Sequence, residues 1–414
     1  MKIAFILNRF PKLSETFIID QIVVLIKRGH KVDIYAATTP IRENKIHPDV
    51  EKYSLLDRTF YYGYPSNKFL GGLNAAKLFL LNFPKNPAVI LSSWNSYKYD
   101  KHQLFSKLLL PHLAIPFLKG QEYDIINCHF GSNALKAVYL KKLGLLKGKI
   151  VTTFHGIDIT NYIDSFGKDV YEQLFEVGDL FLPVSKLWQK RLIELGCNPE
   201  KIIVHHMGID CQEFTFKPRQ INTDSKINIV TVARLVEKKG IEYAIRAVAK
   251  LTNKYQNLQY TIVGDGDLKE SLQKLSLELN IEGIVTFLGW KDRQEVIEIL
   301  RDASIMLAPS VTSKNGDMEG IPLGLMEAMA MGLLVISTYH SGIPELITDG
   351  VSGFLVPERD VDTLAAKLNY SLEHPELWQK IGLVGRQQVE KSYNINQLSD
   401  RLEAIYESLL REKT

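Results

Sequence analysis

INIVTVARLVEKKGIEYAIRAV, residues 227–248, decides how the chain folds. Its first seven residues, INIVTVA, are short, apolar and β-branched, and read as a strand. A charged turn follows, with Arg234 directly after the strand and Lys239 before Gly240, where a helix opens. The same order recurs downstream. QYTIVG (259–264), IVTFLG (284–289), SIMLAPS (304–310) and LLVIST (333–338) read as strands, and helices begin between them near Asp267, Asp292 and Pro322. Strand–helix alternation of this kind predicts a parallel sheet with helices on both faces.

The first half carries a second run of the same sort. KIAFIL (2–7), KVDIYAA (31–37), YDIINCHF (123–130), KIVTTFH (149–155) and DLFLPV (179–184) read as strands, with helices after Ser14 and after Ser132. KIIVHH (201–206) is expected to close this unit as a strand. Two such runs in 414 residues predict an α/β protein of two doubly wound, Rossmann-like domains. The expected division is 1–215, 216–390 and a last helix in 391–414 that packs back on the first domain. The boundary follows from Pro218 and the polar run 219–226, which suit a linker.

Composition excludes several classes. The chain is 45% hydrophobic and 23% charged, ordinary for a soluble globular protein. Residues 1–215 hold 27 Lys and Arg against 20 Asp and Glu, and the remainder holds 23 against 27. The two halves are therefore expected to face different partners. Cys128, Cys197 and Cys211 are far apart and form no C-x-x-C or metal spacing, so reduced thiols in a cytoplasmic protein are expected. The apolar run at the N-terminus ends at Leu7, too short for a secretory signal. No stretch is long enough to span a membrane.

In open α/β sheets, ligands bind outside the carboxyl ends of strands. Ser14 stands after the first strand as a good N-cap, with Glu15 and Thr16 in the first turn; a plain capping device reads equally well. His155 leaves a strand before Gly156, where a ligand can approach, although a lone histidine is often a satisfied core residue. Arg234 and Lys239 beside a helix start suit a phosphate, or are ordinary surface charge. VGDGD (263–267), with Gly264, is a weak glycine signal and not a dinucleotide fingerprint.

EGIPLGLMEAMA, residues 319–330, places Glu319 before Pro322 and Glu327 eight residues after Glu319. Pro322 reads as an N1-like helix position, and the backbone N–H groups from Gly320 through Gly324 point at whatever sits there. Glu327 falls on a face of Ile321, Leu323, Leu325 and Met326 that is expected to be buried. An unpaired carboxylate there is costly. Cations suit a diphosphate, and carboxylates suit sugar or ribose hydroxyls. A nucleotide diphospho-sugar needs both, so a polyol ligand is expected to satisfy Glu327.

With these residues the chain resembles the retaining glycosyltransferases of family 4, which have the GT-B fold of two Rossmann-like domains facing each other across a cleft. Glu319 and Glu327 form the family's E-x7-E pattern, and RLVEKKG is similar to its Arg/Lys motif. FPKLSETFI, FHGIDI and NGDMEGIP look like the branch that builds bacterial exopolysaccharides of the colanic-acid type. KLSET departs from the paired glycine that many members carry in the first loop. The resemblance implies a hexose donor, UDP-linked rather than GDP-linked, and no cofactor besides it. It implies that Glu327 holds the ribose, Glu319 the donor sugar, and Arg234 and Lys239 the diphosphate. His155 lies against the donor sugar, and backbone near Trp290 and Lys291 reads the base. Ser14, Glu15, Thr16 and Asp158 fall on the acceptor side. Neither a metal nor nucleic acid is expected.

A nucleotide-sugar epimerase of the same architecture and a non-catalytic sugar-nucleotide binder remain alternatives. A glycosidase, with two carboxylates flanking a bond, suits the cationic surroundings less well. Between Lys68 and Lys119 lie seven lysines and one acid, interleaved with residues such as Trp94, Phe105 and Phe117. Such a mixture suits the anionic inner face of the plasma membrane, where a polyprenyl-linked saccharide acceptor would lie; a helix core with a solvated lysine face is the other reading.

Overall fold

The computed structural model describes residues 1–38, 47–63, 109–219 and 226–411. The chain forms two compact units: residues 1–184, 188–205 and 399–414 make the first, and 185–187 with 206–398 the second. Each is built on a six-stranded, all-parallel sheet.

In the first unit the strands are β1 (Lys2–Arg9), β2 (Lys31–Thr38), β3 (Thr59–Tyr61), β4 (Gln121–His129), β5 (Leu146–Phe154) and β6 (Leu180–Pro183). Their spatial order is β3-β2-β1-β4-β5-β6. Helices α1 (Thr16–Lys27) and α2 (Gly131–Lys142) follow β1 and β4. The core on one face joins Ile3, Phe5, Val32, Ile34 and Ile125 to Ile18, Ile19 and Ile22 of α1. In the second unit β7 (Ile227–Val232), β8 (Leu258–Val263), β9 (Val285–Gly289), β10 (Ile305–Ala308), β11 (Leu334–Thr338) and β12 (Phe354–Val356) lie in the order β12-β11-β10-β7-β8-β9. Helices α3 (Ile241–Ala249), α4 (Arg293–Asp302) and α5 (Leu323–Ala330) connect them, and α6 (Ile395–Arg411) comes last.

The unbroken apolar strands have a direct cause. Ile229, Ile305, Leu307, Leu334 and Ile336 enter one core, while Val230, Met306 and Val335 enter the core on the opposite face. Side chains alternate along a strand, so a sheet covered on both faces needs apolar residues at every position. In α3, Ile241, Ala244, Ile245 and Val248 make the stripe that packs on the sheet.

Two readings need correction, and a third falls mostly outside the described residues. KIIVHH is not a strand: Ile202 makes one isolated bridge with Phe181, and only alternate N–H groups, of Ile203 and His205, reach β6. The three-residue strands β3 and β12 were missed because they are too short for periodicity to show. The basic, aromatic stretch from Lys68 lies outside the described residues up to 108. Of its described part, Phe117 is fully buried against the Tyr35 ring at 4.3 Å, so it is core and not a membrane face. The last helix joins the first unit from Ser399 onward, where Leu402, Tyr406 and Leu409 enter the core. No described helix is long and apolar enough to cross a membrane. All three cysteines are free and buried.

Gly264 serves the backbone. It has φ +135°, and a Cβ there would stand 1.8 Å from the Ala233 carbonyl oxygen. Its N–H donates to the Gly289 carbonyl at 2.8 Å. Gly264→Ala should destabilise the second unit by about 1–3 kcal/mol, read as a lower urea midpoint; an unchanged midpoint would show that this crossing relaxes freely.

Candidate active site

In the second unit the strand order reverses between β10 and β7, which are neighbours. Their exits, 233–240 and 309–322, therefore open side by side, at the place where doubly wound sheets take ligands. Thr231, Lys239, Ser310, Pro322 and Gly324 line a crevice of about 30 Å³ there.

Glu319 is the buried carboxylate, 7% exposed. Its Oε2 lies 2.9 Å from Lys239 Nζ, and its Oε1 lies 3.7 Å from Lys238 Nζ. Oε1 takes no hydrogen bond from the described residues. Burial by itself would raise this carboxyl, but the charges of Lys239 and Lys238 outweigh burial and hold it at about 2. Lys238 is also buried and pairs with Asp317 at 3.1 Å. The Glu319 N–H donates to His340 Nε2 at 3.1 Å, and His340 Nδ1 meets Glu358 Oε1 at 2.6 Å. Only the tautomer with its proton on Nδ1 serves both bonds. The Thr312 N–H donates to the same Glu358 carboxylate.

Arg234 is exposed, and its guanidinium has no partner among the described residues. The N–H groups of Gly320, Ile321, Leu323 and Gly324 likewise have no acceptor among them. Pro322 occupies the N-cap position of α5, not N1, and the helix begins at Leu323. Glu327 is half-buried, not buried as its neighbours suggested, because α5 leaves that side partly open. Trp290 is 40% exposed, and Lys291 Nζ pairs with Glu295 at 2.7 Å beside the Asp292/Glu295 capping box of α4.

In the first unit His155 follows β5 and lies among Phe17, Phe130 and His129. His155 Nε2 is 2.9 Å from His129 Nδ1, and His129 Nε2 is 2.7 Å from Gln21 Oε1. Gln21 Oε1 accepts a further bond from Asn127, whose amide also donates to Tyr406 of α6. Burial pulls His129 down to about 3, and burial together with His129 pulls His155 well below its ordinary value. Both rings are neutral at neutral pH. The carbonyl of Gln21 then requires a proton on His129 Nε2, so His155 donates from Nε2 and keeps Nδ1 as an acceptor that no described residue fills.

Asp158 lines the cavity of the first unit, and its carboxylate is held by the backbone. It accepts N–H bonds from Gly131, His155 and Gly156 at 2.9–3.0 Å, and burial nonetheless lifts it to about 6. Ser14 is not the cap of α1 either. It lies in a single tight turn, Leu13–Glu15, and Glu15 precedes the helix without a side-chain cap bond, because its carboxylate is taken by Lys12. Thr16 is the first residue of α1.

Residues 14–213 match the model for Glycosyltransferase Family 4, and residues 212–388 that for Glycosyl transferases group 1. The amylovoran biosynthesis glycosyltransferase AmsK of Erwinia amylovora is 38% identical, over 99% of this chain and all of that one. The Escherichia coli K12 glycosyltransferase WcaL, named for colanic acid biosynthesis, is 37% identical over the same shares. The chain belongs to the family 4 glycosyltransferases. The glycosyltransferase has the GT-B fold, and Anabaena HepE, solved with UDP-glucose, superposes with a TM-score of 0.72 at 16% identity over 99% of this chain and all of that one.

In the glycosyltransferase, Lys239, Glu319, Gly320, Ile321, Pro322 and Leu323 come together at the two exits. Gly264, with its N–H committed, does not offer that group to a donor. Lys238, Asp317, His340, Glu358, His129 and Gln21 were not singled out from sequence. His129 carried a signal, since it ends a strand as His155 follows one. Asp317, His340, Glu358 and Gln21 had none, because the groups they hold are made neighbours only by the fold, and Lys238 was passed over beside Lys239.

The depressed Glu319 carboxyl has a consequence for acid stability. Its contribution is complete above its ordinary value of 4.5 and is lost as pH falls towards about 2. Glu319→Gln should lower stability at pH 7 by about 3–5 kcal/mol and flatten the fall between those pH values. Urea unfolding across pH 2–7 reads both, and a parallel profile would refute the buried pair.

Proposed function

We propose that the enzyme moves a hexose from a nucleotide diphospho-sugar to a saccharide or lipid-linked saccharide in bacterial exopolysaccharide synthesis, with retention at the anomeric carbon. The observation that carries this reading is Glu319 Oε1, a buried acceptor that takes no hydrogen bond from the described residues, beside two lysines and a row of N–H groups that have no acceptor among them. A sugar hydroxyl is the donor that Oε1 lacks. A diphosphate suits the N-terminus of α5 and the guanidinium of Arg234. UDP is preferred to GDP on the family resemblance, and the Anabaena neighbour is a UDP-glucose complex.

Lys239 changes partner in this reading. Without donor it neutralises Glu319; with donor it turns to the diphosphate, and the sugar hydroxyls take over Glu319. As the acceptor hydroxyl oxygen bonds to the anomeric carbon, the bond to the diphosphate breaks, charge builds on the leaving group, and the hydroxyl proton passes to the departing phosphate oxygen. Arg234, Lys239 and the α5 amides meet that charge, which is where preorganised groups lower a barrier most. They supply the role of a divalent ion, so none is required. Glu327, one turn into α5, holds the ribose. His155 presents Nδ1 as an acceptor towards a sugar hydroxyl.

The direct experiment incubates the enzyme with UDP- and GDP-hexoses and a saccharide acceptor, and follows the product by NMR. Transfer with the donor's anomeric configuration, undiminished by EDTA, is expected. Inversion, a requirement for Mg²⁺ or Mn²⁺, or epimerisation of the donor without acceptor would overturn the reading. Arg234→Ala and Lys239→Ala should each slow turnover by about 10²–10³ and weaken UDP binding; wild-type kinetics in both would remove the diphosphate assignment.

A further inference from the structure

A cavity of about 390 Å³ lies in the first unit. It opens at the other strand reversal, between β1 and β4, where Asn8, Arg9, Lys12, Asn133, Asn161 and Tyr162 contribute to its wall. Rings and carboxamides together suit a saccharide, since a polyol presents both apolar faces and hydroxyls.

Its charges do not cancel. Glu15 is committed to Lys12, and Asp158 to three backbone N–H groups. Arg9, half-buried at the end of β1, has no hydrogen bond or ion pair from its guanidinium among the described residues. Directly behind the wall is Lys136, 6% exposed. Among the described residues its Nζ bonds to neutral acceptors, Asn133 Oδ1 at 2.9 Å and Asn8 Oδ1 at 3.4 Å, and stands 5.9 Å from the centre of the Tyr62 ring. Burial draws this ammonium down to about 8, and no carboxylate among the described residues offsets it. A buried cation without a counter-charge is costly, and both amides that hold it also line the cavity. Three cations against two committed carboxylates leave the pocket positive.

We propose that this pocket binds the acceptor and that the acceptor is an acidic saccharide, its carboxylate or phosphate paired with Arg9 in front of Lys136. The inference rests on the transferase reading above for the word acceptor, and adds the acceptor's charge. Guanidinium is the better partner for either anion because both offer two oxygens to its fork.

The test titrates the full chain with glucose, glucuronate and glucose 1-phosphate, each with and without UDP. Glucuronate and glucose 1-phosphate separate the two anion sources. At least one acidic sugar should bind about ten- to a hundred-fold more tightly than glucose. Arg9→Gln should abolish that preference, Arg9→Lys should retain part of it, and neither should change UDP affinity. Equal binding of all three sugars, no binding of either acidic sugar, or a preference that survives in Arg9→Gln would overturn the proposal. Loss of UDP affinity in the wild type would instead count against the donor reading, and leave the sugar preference to be read by itself.

Discussion

A parallel sheet covered on both faces sends every loop that follows a strand to one edge, and each unit here depends on that constraint. Lys239 and Glu319 are 80 residues apart, yet they meet because β7 and β10 are neighbours and leave the sheet in the same direction. The same geometry brings Arg9 and Asn133 to one cavity after β1 and β4. The apolar strands and helix stripes hold the sheets together, and the chemistry gathers at the edge they leave uncovered.

That edge carries charge in an unfavourable medium, and the two units solve the problem differently. In the second, Glu319 is surrounded by two ammonium groups and fixed through its own N–H by His340, which Glu358 holds in turn. The carboxylate stays ionised although burial opposes it. Such a cluster is stable only while its partners remain, which makes a ligand that brings both anionic and hydroxyl groups able to exchange them without leaving a bare charge. In the first unit the histidines are kept neutral by burial, and a carbonyl at Gln21 sets the direction of both protons. Tyr406 of the last helix stands at the far end of that chain of bonds.

Much of this was legible in advance. The alternation of apolar runs and helical stripes named ten of the twelve strands among the described residues, because a doubly covered sheet leaves a continuous hydrophobic trace. The strand exits named Arg234, Lys239, His155 and Glu319, because open α/β sheets take ligands outside the carboxyl ends of their strands. Short elements escaped: Thr59–Tyr61 and Phe354–Val356 are held by neighbours, not by any pattern of their own. KIIVHH carried a strand's composition and yet follows β6 with alternate bonds only.

The sequence by itself determined two Rossmann-like units, their order along the chain and the loops in which the chemistry lies, since periodicity and glycine placement are local properties. Tertiary structure decided which acid is buried. The pattern pointed to Glu327, but α5 starts at Leu323 and turns that residue half outward, while the loop before it presses Glu319 between Lys238 and Lys239. It also decided that Asp158 serves backbone N–H groups and that Arg9, unpaired among the described residues, shares a cavity with the amides that hold a buried Lys136. Burial and pairing of charge depend on side chains that are distant in sequence, and no local pattern records which of them will meet.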